Sequence, residues 1–246
     1  SLAFGLILVA ITYVLAQYSG AHVNPAVSFG NAVAGEMGWG RMILYWIVQL
    51  IAAIAAAALV LWFFGKASGV GASVGSLTYA MPWKAALVEA VITFILTLSV
   101  LYISKNPSYA LVGAVTVGLT LVGIMLAAYP LTGASTNPAR SLGPAIFSDN
   151  LGSYWIYVIG PLVGALVGGL VYRLLHYNWK KSTACIKDAV LPHEIYGDSC
   201  QKVDACQKVE ACHKPVTCHK PAAPTCGKQY KVDQTFTLPE VKNYSC

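Results

Sequence analysis

Residues 1–176 contain no cysteine and only nine charged side chains, although the 246-residue chain holds 16 Lys and Arg, 10 Asp and Glu, and 7 Cys. The missing cysteines exclude disulfide, thiolate-metal and thiol chemistry from that stretch. The missing charge excludes an ordinary soluble domain: 11% of the chain is charged and 57% hydrophobic, against about 25% and 45–50% in typical soluble proteins. No basic block of five or six residues forms, since the tail lysines alternate with Asp and Glu. The net charge of +6 is therefore no sign of nucleic-acid binding.

Long apolar runs take the place of charge. A helix needs about 20 apolar residues to cross a hydrocarbon core of roughly 30 Å. Five windows qualify, at residues 1–16, 42–64, 85–104, 109–129 and 154–176. Two shorter runs, 24–34 and 137–147, each begin with Asn-Pro and are too short to span; they read as re-entrant half-helices. The first window lacks the basic start and cleavage site of a signal peptide, and Ser1 already lies inside an apolar run, as if a preceding span were missing. Arg41, Lys105, Arg173, Lys180 and Lys181 fall on one side and Lys66, Lys84 and Asp149 on the other. The basic excess marks the cytoplasmic face and puts the C-terminal tail there.

An internal repeat is the strongest signal. Gly20-Ala21-His22-Val23-Asn24-Pro25-Ala26-Val27-Ser28-Phe29-Gly30 matches Gly133-Ala134-Ser135-Thr136-Asn137-Pro138-Ala139-Arg140-Ser141-Leu142-Gly143 at seven of eleven positions, 113 residues apart. Three spans separate the copies, so they enter the membrane from opposite faces. Inverted repeats with broken helices place a substrate path where the half-helices meet. In each copy Asn suits the N-cap and Pro the first helical position, where a missing N–H costs nothing. Two positive helix ends of about half a charge then face one another near the bilayer centre, repelling cations. Each Asn can offer an amide N–H to a passing oxygen, and the irregular backbone at 20–23 and 133–136 can turn carbonyls to a watery path.

These residues resemble the aquaporins, or major intrinsic proteins: both Asn-Pro-Ala motifs (Asn24, Pro25, Ala26; Asn137, Pro138, Ala139), Ala139-Arg140-Ser141, and Gly160-Pro161 in the last span. The flanks are most similar to the tonoplast, or vacuolar-membrane, type. The resemblance covers about residues 1–176 and implies an all-α membrane bundle with two inverted re-entrant half-helices, the family's first span and its glutamate being absent from this sequence. It implies a constriction of Phe4, Met125, Ala134 and Arg140, and a loop-bracing role for Glu89. His22 reads equally as a pore residue or as a loop brace. Met125 stands where strict water channels usually carry His, which implies a wider, less polar pore that admits urea, ammonia or hydrogen peroxide. Ser141, in place of the Asp usual in glycerol-type members, disfavours glycerol. Gly160, Gly164 and Gly168 form a smooth stripe for helix contact, inside the bundle or in a tetramer.

Residues 177–246 form a separate polar tail. Cys200, Cys206, Cys212 and Cys218 recur every six residues within related hexads, a spacing that matches no common zinc pattern. His213 and His219 leave metal binding open, beside the leading reading of a low-complexity segment that binds a protein partner.

The expectation is thus a channel, not an enzyme, without cofactor or metal, homotetrameric in the lipid bilayer, passing water and small neutral solutes. The sequence does not choose between a vacuolar-type and the plasma membrane. The alternative is a non-conducting, aquaporin-like structural subunit of a larger membrane assembly, motivated by the missing first span and the added tail.

Overall fold

A computed structural model of the chain describes residues 2–104, 112–148 and 150–190. The hexad cysteines, Cys226, Cys246, His213 and His219 lie outside the described residues. The chain divides into two units, Ser1–Lys181 and Ser182–Cys246.

Every regular element among the described residues is helical: α1 (Leu2–Ser19), α2 (Pro25–Ala34), α3 (Trp39–Phe64), a 3₁₀ segment (Lys66–Gly71), α4 (Ser76–Ala80), α5 (Pro82–Ser104), α6 (Gly113–Thr132), α7 (Pro138–Phe147), a short 3₁₀ turn (Leu151–Ser153) and α8 (Ile156–Val190). Among the described residues five stretches are long and apolar enough to cross a membrane: Leu2–Ser19, Trp39–Phe64, Pro82–Ile103, Gly113–Thr132 and Leu151–His176. These are the five windows expected from hydropathy, with ends moved by a few residues. The chain is an integral, multi-pass membrane protein.

The half-helices start and stop where their residues dictate. Asn24 and Asn137 occupy the N-caps in extended conformation with Pro at the first helical position, and Gly35 ends α2 in the left-handed region, its N–H returning to Ala32. At ten residues each, α2 and α7 run about 15 Å, half the membrane.

Close crossings hold the long helices together. A Cβ on Gly164 would lie 2.1 Å from the Ala90 carbonyl oxygen, so α8 meets α5 backbone to backbone there. Gly160 faces Ala86 and Glu89 in the same way, so the glycine stripe is used inside the bundle. Small residues allow this approach, which dispersion then stabilises where lipid gives no hydrophobic drive. Val27, Ile92, Leu96, Val117, Ile124 and Met125 pack together at the centre. Leu6, Val14, Leu44, Val48 and Ile51, on α1 and α3, are exposed, as lipid-facing side chains are.

Candidate functional site

The two repeat loops adopt the same backbone. Gly20, Ala21 and Val23 have φ of 72°, 48° and 40°, and their counterparts Gly133, Ala134 and Thr136 have 82°, 45° and 54°. Four of these six residues are not glycine, and Val23 and Thr136 are β-branched. Left-handed backbone at such residues costs on the order of 1–3 kcal/mol each and persists only where the surroundings impose it.

The imposing contacts lie between the loops. Asn24 caps α2, its side-chain oxygen accepting from Ala26 N at 2.9 Å, while its amide donates to the Thr136 carbonyl at 2.8 Å. Asn137 does the same in reverse: it accepts from Ala139 N at 3.0 Å and Arg140 N at 3.1 Å, and donates to the Val23 carbonyl at 2.9 Å. The N-termini of α2 and α7 therefore meet head to head, each asparagine locked to the opposite loop. An amide nitrogen carries two hydrogens. One from each asparagine is committed to this lock, which the expectation of amides simply offered to a passing oxygen did not include, and one remains.

Further bonds hold the first turns from outside. Trp46 Nε1 donates to the Pro25 carbonyl at 2.8 Å, and Tyr154 Oη donates to the equivalent Pro138 carbonyl at 3.1 Å. Pro25, Ala26, Pro138 and Ala139 are buried.

Glu89 lies fully buried in α5 and accepts three bonds from the second loop region: Thr132 Oγ1 at 2.7 Å and Ser135 N at 2.9 Å on one oxygen, Thr136 N at 2.8 Å on the other. It does not line the cavity. In the first loop His22 Nδ1 bonds Ser28 Oγ at 3.1 Å, and its ring tilts against Tyr45 with centroids 5.5 Å apart.

A cavity of about 700 Å³ runs past the asparagines; Phe4, His22, Asn24, Met125, Asn137 and Arg140 border it, with Ala134. Seven of the residues singled out from the sequence thus face one space. The Arg140 guanidinium carbon stands 5.3 Å from the Phe4 ring centroid, within cation–π range. Met125 and Ala134 are each only 1% exposed, packed mainly against the core.

The chemistry is one of oriented dipoles. Among the described residues no group of three His, Cys, Asp or Glu is placed to hold a metal ion. Two helix N-termini, two asparagine amides and one guanidinium border the cavity, which makes that stretch of its wall rich in hydrogen-bond donors and positive partial charge.

Residues 1–172 match the family described as major intrinsic protein. The chain belongs to the major intrinsic protein family. It is 36% identical over 177 residues to aquaporin NIP1-4 of Oryza sativa subsp. japonica, covering 71% of this chain and 64% of that one. It is 38% identical over 170 residues to the probable aquaporin TIP2-2 of the same plant, covering 65% and 64%. Aquaporin Z of Rhodopseudomonas palustris (strain ATCC BAA-98 / CGA009) is 36% identical over 186 residues, covering 71% and 78%. TIP-type relatives are thus among the matches, in keeping with the motif flanks. The X-ray structure of the aquaglyceroporin from Plasmodium falciparum superposes with a TM-score of 0.61 at 25% identity, covering 70% of this chain and 79% of that one. The chain spans 64% of the length of either rice relative.

The sequence reading missed several members of this aquaporin-like site. Thr132, Ser73, Trp46 and Tyr154 carried no motif. Ser141 had a usable signal, since it repeats Ser28 at the same spacing from Asn-Pro.

Proposed function

We propose that residues 1–176 form a passive channel for water and small neutral solutes such as urea, ammonia and hydrogen peroxide, excluding protons and ions. The observation that carries this reading is the head-to-head meeting of α2 and α7, with Asn24 and Asn137 bordering the same cavity as Arg140. A permeant oxygen at the asparagines takes a hydrogen bond from each remaining amide N–H. A water oriented in this way cannot also continue an unbroken donor chain through that point, and the opposed helix dipoles raise the barrier to a proton carrier or cation. Arg140 and Phe4 select by charge and width, with Met125 and Ala134 forming the apolar side of the constriction. On this reading the channel works as a homotetramer in the bilayer. Residues 177–246 are a cytoplasmic tail for a protein partner.

Stopped-flow osmotic shrinkage of proteoliposomes tests the proposal, with urea and glycerol uptake in parallel. The expected result is water flux well above empty liposomes, urea passing more readily than glycerol, and both solutes gaining when Arg140→Val widens the constriction. Removing the guanidinium also lowers the barrier to a monovalent cation, by up to about 4 kcal/mol for a charge some 4 Å away in a partly screened site. Flux no higher than empty liposomes, from protein shown to be folded, would overturn the channel reading and leave that of a structural subunit.

A further inference from the structure

The wall behind Arg140 contains a buried row of serine hydroxyls. Ser73 lies between the 3₁₀ segment and α4, Ser135 in the second loop and Ser141 in α7, and all three are buried. Arg140 Nη1 donates to Ser73 Oγ. Ser73 Oγ is 2.6 Å from Ser141 Oγ, Ser141 Oγ is 2.5 Å from Ser135 Oγ, and Ser135 Oγ is 3.0 Å from the Asn137 carbonyl.

Only one arrangement of protons satisfies all four bonds. A guanidinium only donates and a carbonyl only accepts, while each hydroxyl has a single proton. Ser135 must spend its proton on the Asn137 carbonyl, so Ser141 donates to Ser135. Ser141 is then committed, so Ser73 donates to Ser141 and is left with a lone pair for Arg140. Every bond runs the same way, from the cation to the cap of α7, the arrangement in which successive hydrogen bonds polarise and strengthen one another.

The segment carrying Ser73 is firmly seated. A Cβ on Gly75 would lie 2.3 Å from the Leu131 carbonyl carbon, and one on Gly133 would lie 2.8 Å from Val74 N. Residues 73–75 therefore press on the backbone of the second loop. The other half of the repeat has a similar row with a different head. Gln49 Nε2 donates to Ser28 Oγ at 3.1 Å, and Ser28 Oγ donates to the Asn24 carbonyl at 3.2 Å. The residue equivalent to Arg140 is there Val27, packed in the core, so no guanidinium heads that row, and His22 Nδ1 bonds its serine at 3.1 Å.

We propose that Ser73 is the positioning residue for Arg140: through the one-way relay Arg140, Ser73, Ser141, Ser135 and the Asn137 carbonyl, it holds the guanidinium against the cavity wall beside Phe4 and so sets the solute-to-water selectivity of the pore. This rests on the channel reading for its consequence, but not for its geometry. Arginine has a long, flexible stem. Without an acceptor at Ser73 the head swings away from its place, and the constriction is no longer defined by one rotamer.

The test uses the full chain in lipid, with two readouts. Arg41, Arg140 and Arg173 are its only arginines, so 15N-arginine solid-state NMR resolves the Arg140 guanidinium once an Arg140→Lys spectrum identifies it. Urea and water permeabilities are measured on the same vesicles. Ser73→Ala is expected to shift the Arg140 resonances, to reduce the population in the relay position by about tenfold, since it removes a bond to a charged group, and to raise the urea-to-water ratio. Ser73→Thr, which keeps the hydroxyl, restores both. Ser141→Ala leaves Arg140 and Ser73 in place but cuts the next link, and gives a smaller shift in the same direction. Unchanged Arg140 resonances in a folded Ser73→Ala protein would overturn the relay. Failure of Ser73→Thr and Ser141→Ala to follow the pattern would reduce the row to ordinary loop packing and overturn the proposal equally. Absence of flux in the unmodified chain counts against the channel alone, because the spectra still decide the relay.

Discussion

Residues 20–30 and 133–143 share seven of eleven amino acids and one backbone, but different neighbours hold them in place. The second loop hangs from a buried carboxylate with three bonds to Glu89. The first is pinned by His22 against Ser28 and Tyr45, with Gln49 donating to the same serine. The halves also differ in charge, because Arg140 takes the place of Val27. Matching Asn-Pro-Ala motifs thus impose matching caps and matching left-handed turns. The residue at one repeat position, Val27 or Arg140, decides which half carries the guanidinium, and the surroundings decide what each half is held by.

The sharpest way to break this comparison is to remove the braces one at a time. Glu89→Ala leaves three buried donors without an acceptor, an expected loss of about 3 kcal/mol or more at roughly 1 kcal/mol upward for each. His22→Ala removes the bond to Ser28 and the ring contact with Tyr45 at a partly exposed site, an expected loss of about 1 kcal/mol. Thermal unfolding in detergent measures both, and equal losses would show that the two loops are braced alike.

Asn24→Asp and Asn137→Asp sharpen the symmetric part. Each keeps the capping oxygen but loses the amide that crosses to the other loop, and sets a carboxylate oxygen against a carbonyl. A loss of about 1–2 kcal/mol is expected in both, with the added penalty of an ionised group at membrane depth. Both variants should also admit cations, read as a conductance in planar bilayers; a response from only one half would mean that the cross-lock is not reciprocal.

The smallest effect is expected from Trp46→Phe and Tyr154→Phe. Each deletes a single bond to the first-turn proline carbonyl of its half-helix, worth about 0.5–1.5 kcal/mol. Matching shifts in unfolding temperature would confirm that the two half-helices are anchored alike from outside.

Much of the fold was legible beforehand because membrane constraints are written locally. A span must be about 20 apolar residues long, so hydropathy located all five, and Asn followed by Pro marked both half-helix starts. The repeat spacing brought Asn24 and Asn137 to one place, and with the family resemblance it led to Phe4 and Arg140. Glu89 stood out only as a lone acid in its span; its bracing role came from resemblance, since nothing local ties it to residues more than 40 positions away. Ser73 was invisible for the same reason. It lies in an irregular segment with no periodicity, and its value comes from standing beside Arg140, 67 positions on.

The amino-acid sequence by itself determined the five apolar spans found among the described residues, the two re-entrant half-helices, their caps and their opposite entry into the membrane, because each follows from length, hydropathy or the local geometry of Asn, Pro and Gly. Only the tertiary structure decided which amide hydrogens are locked across the loops, that Glu89 serves one loop alone, and that three serines order themselves behind Arg140. Those outcomes depend on hydrogen bonds between residues distant in the chain, and such bonds have a direction and a partner only once the backbone has brought both atoms within about 3 Å.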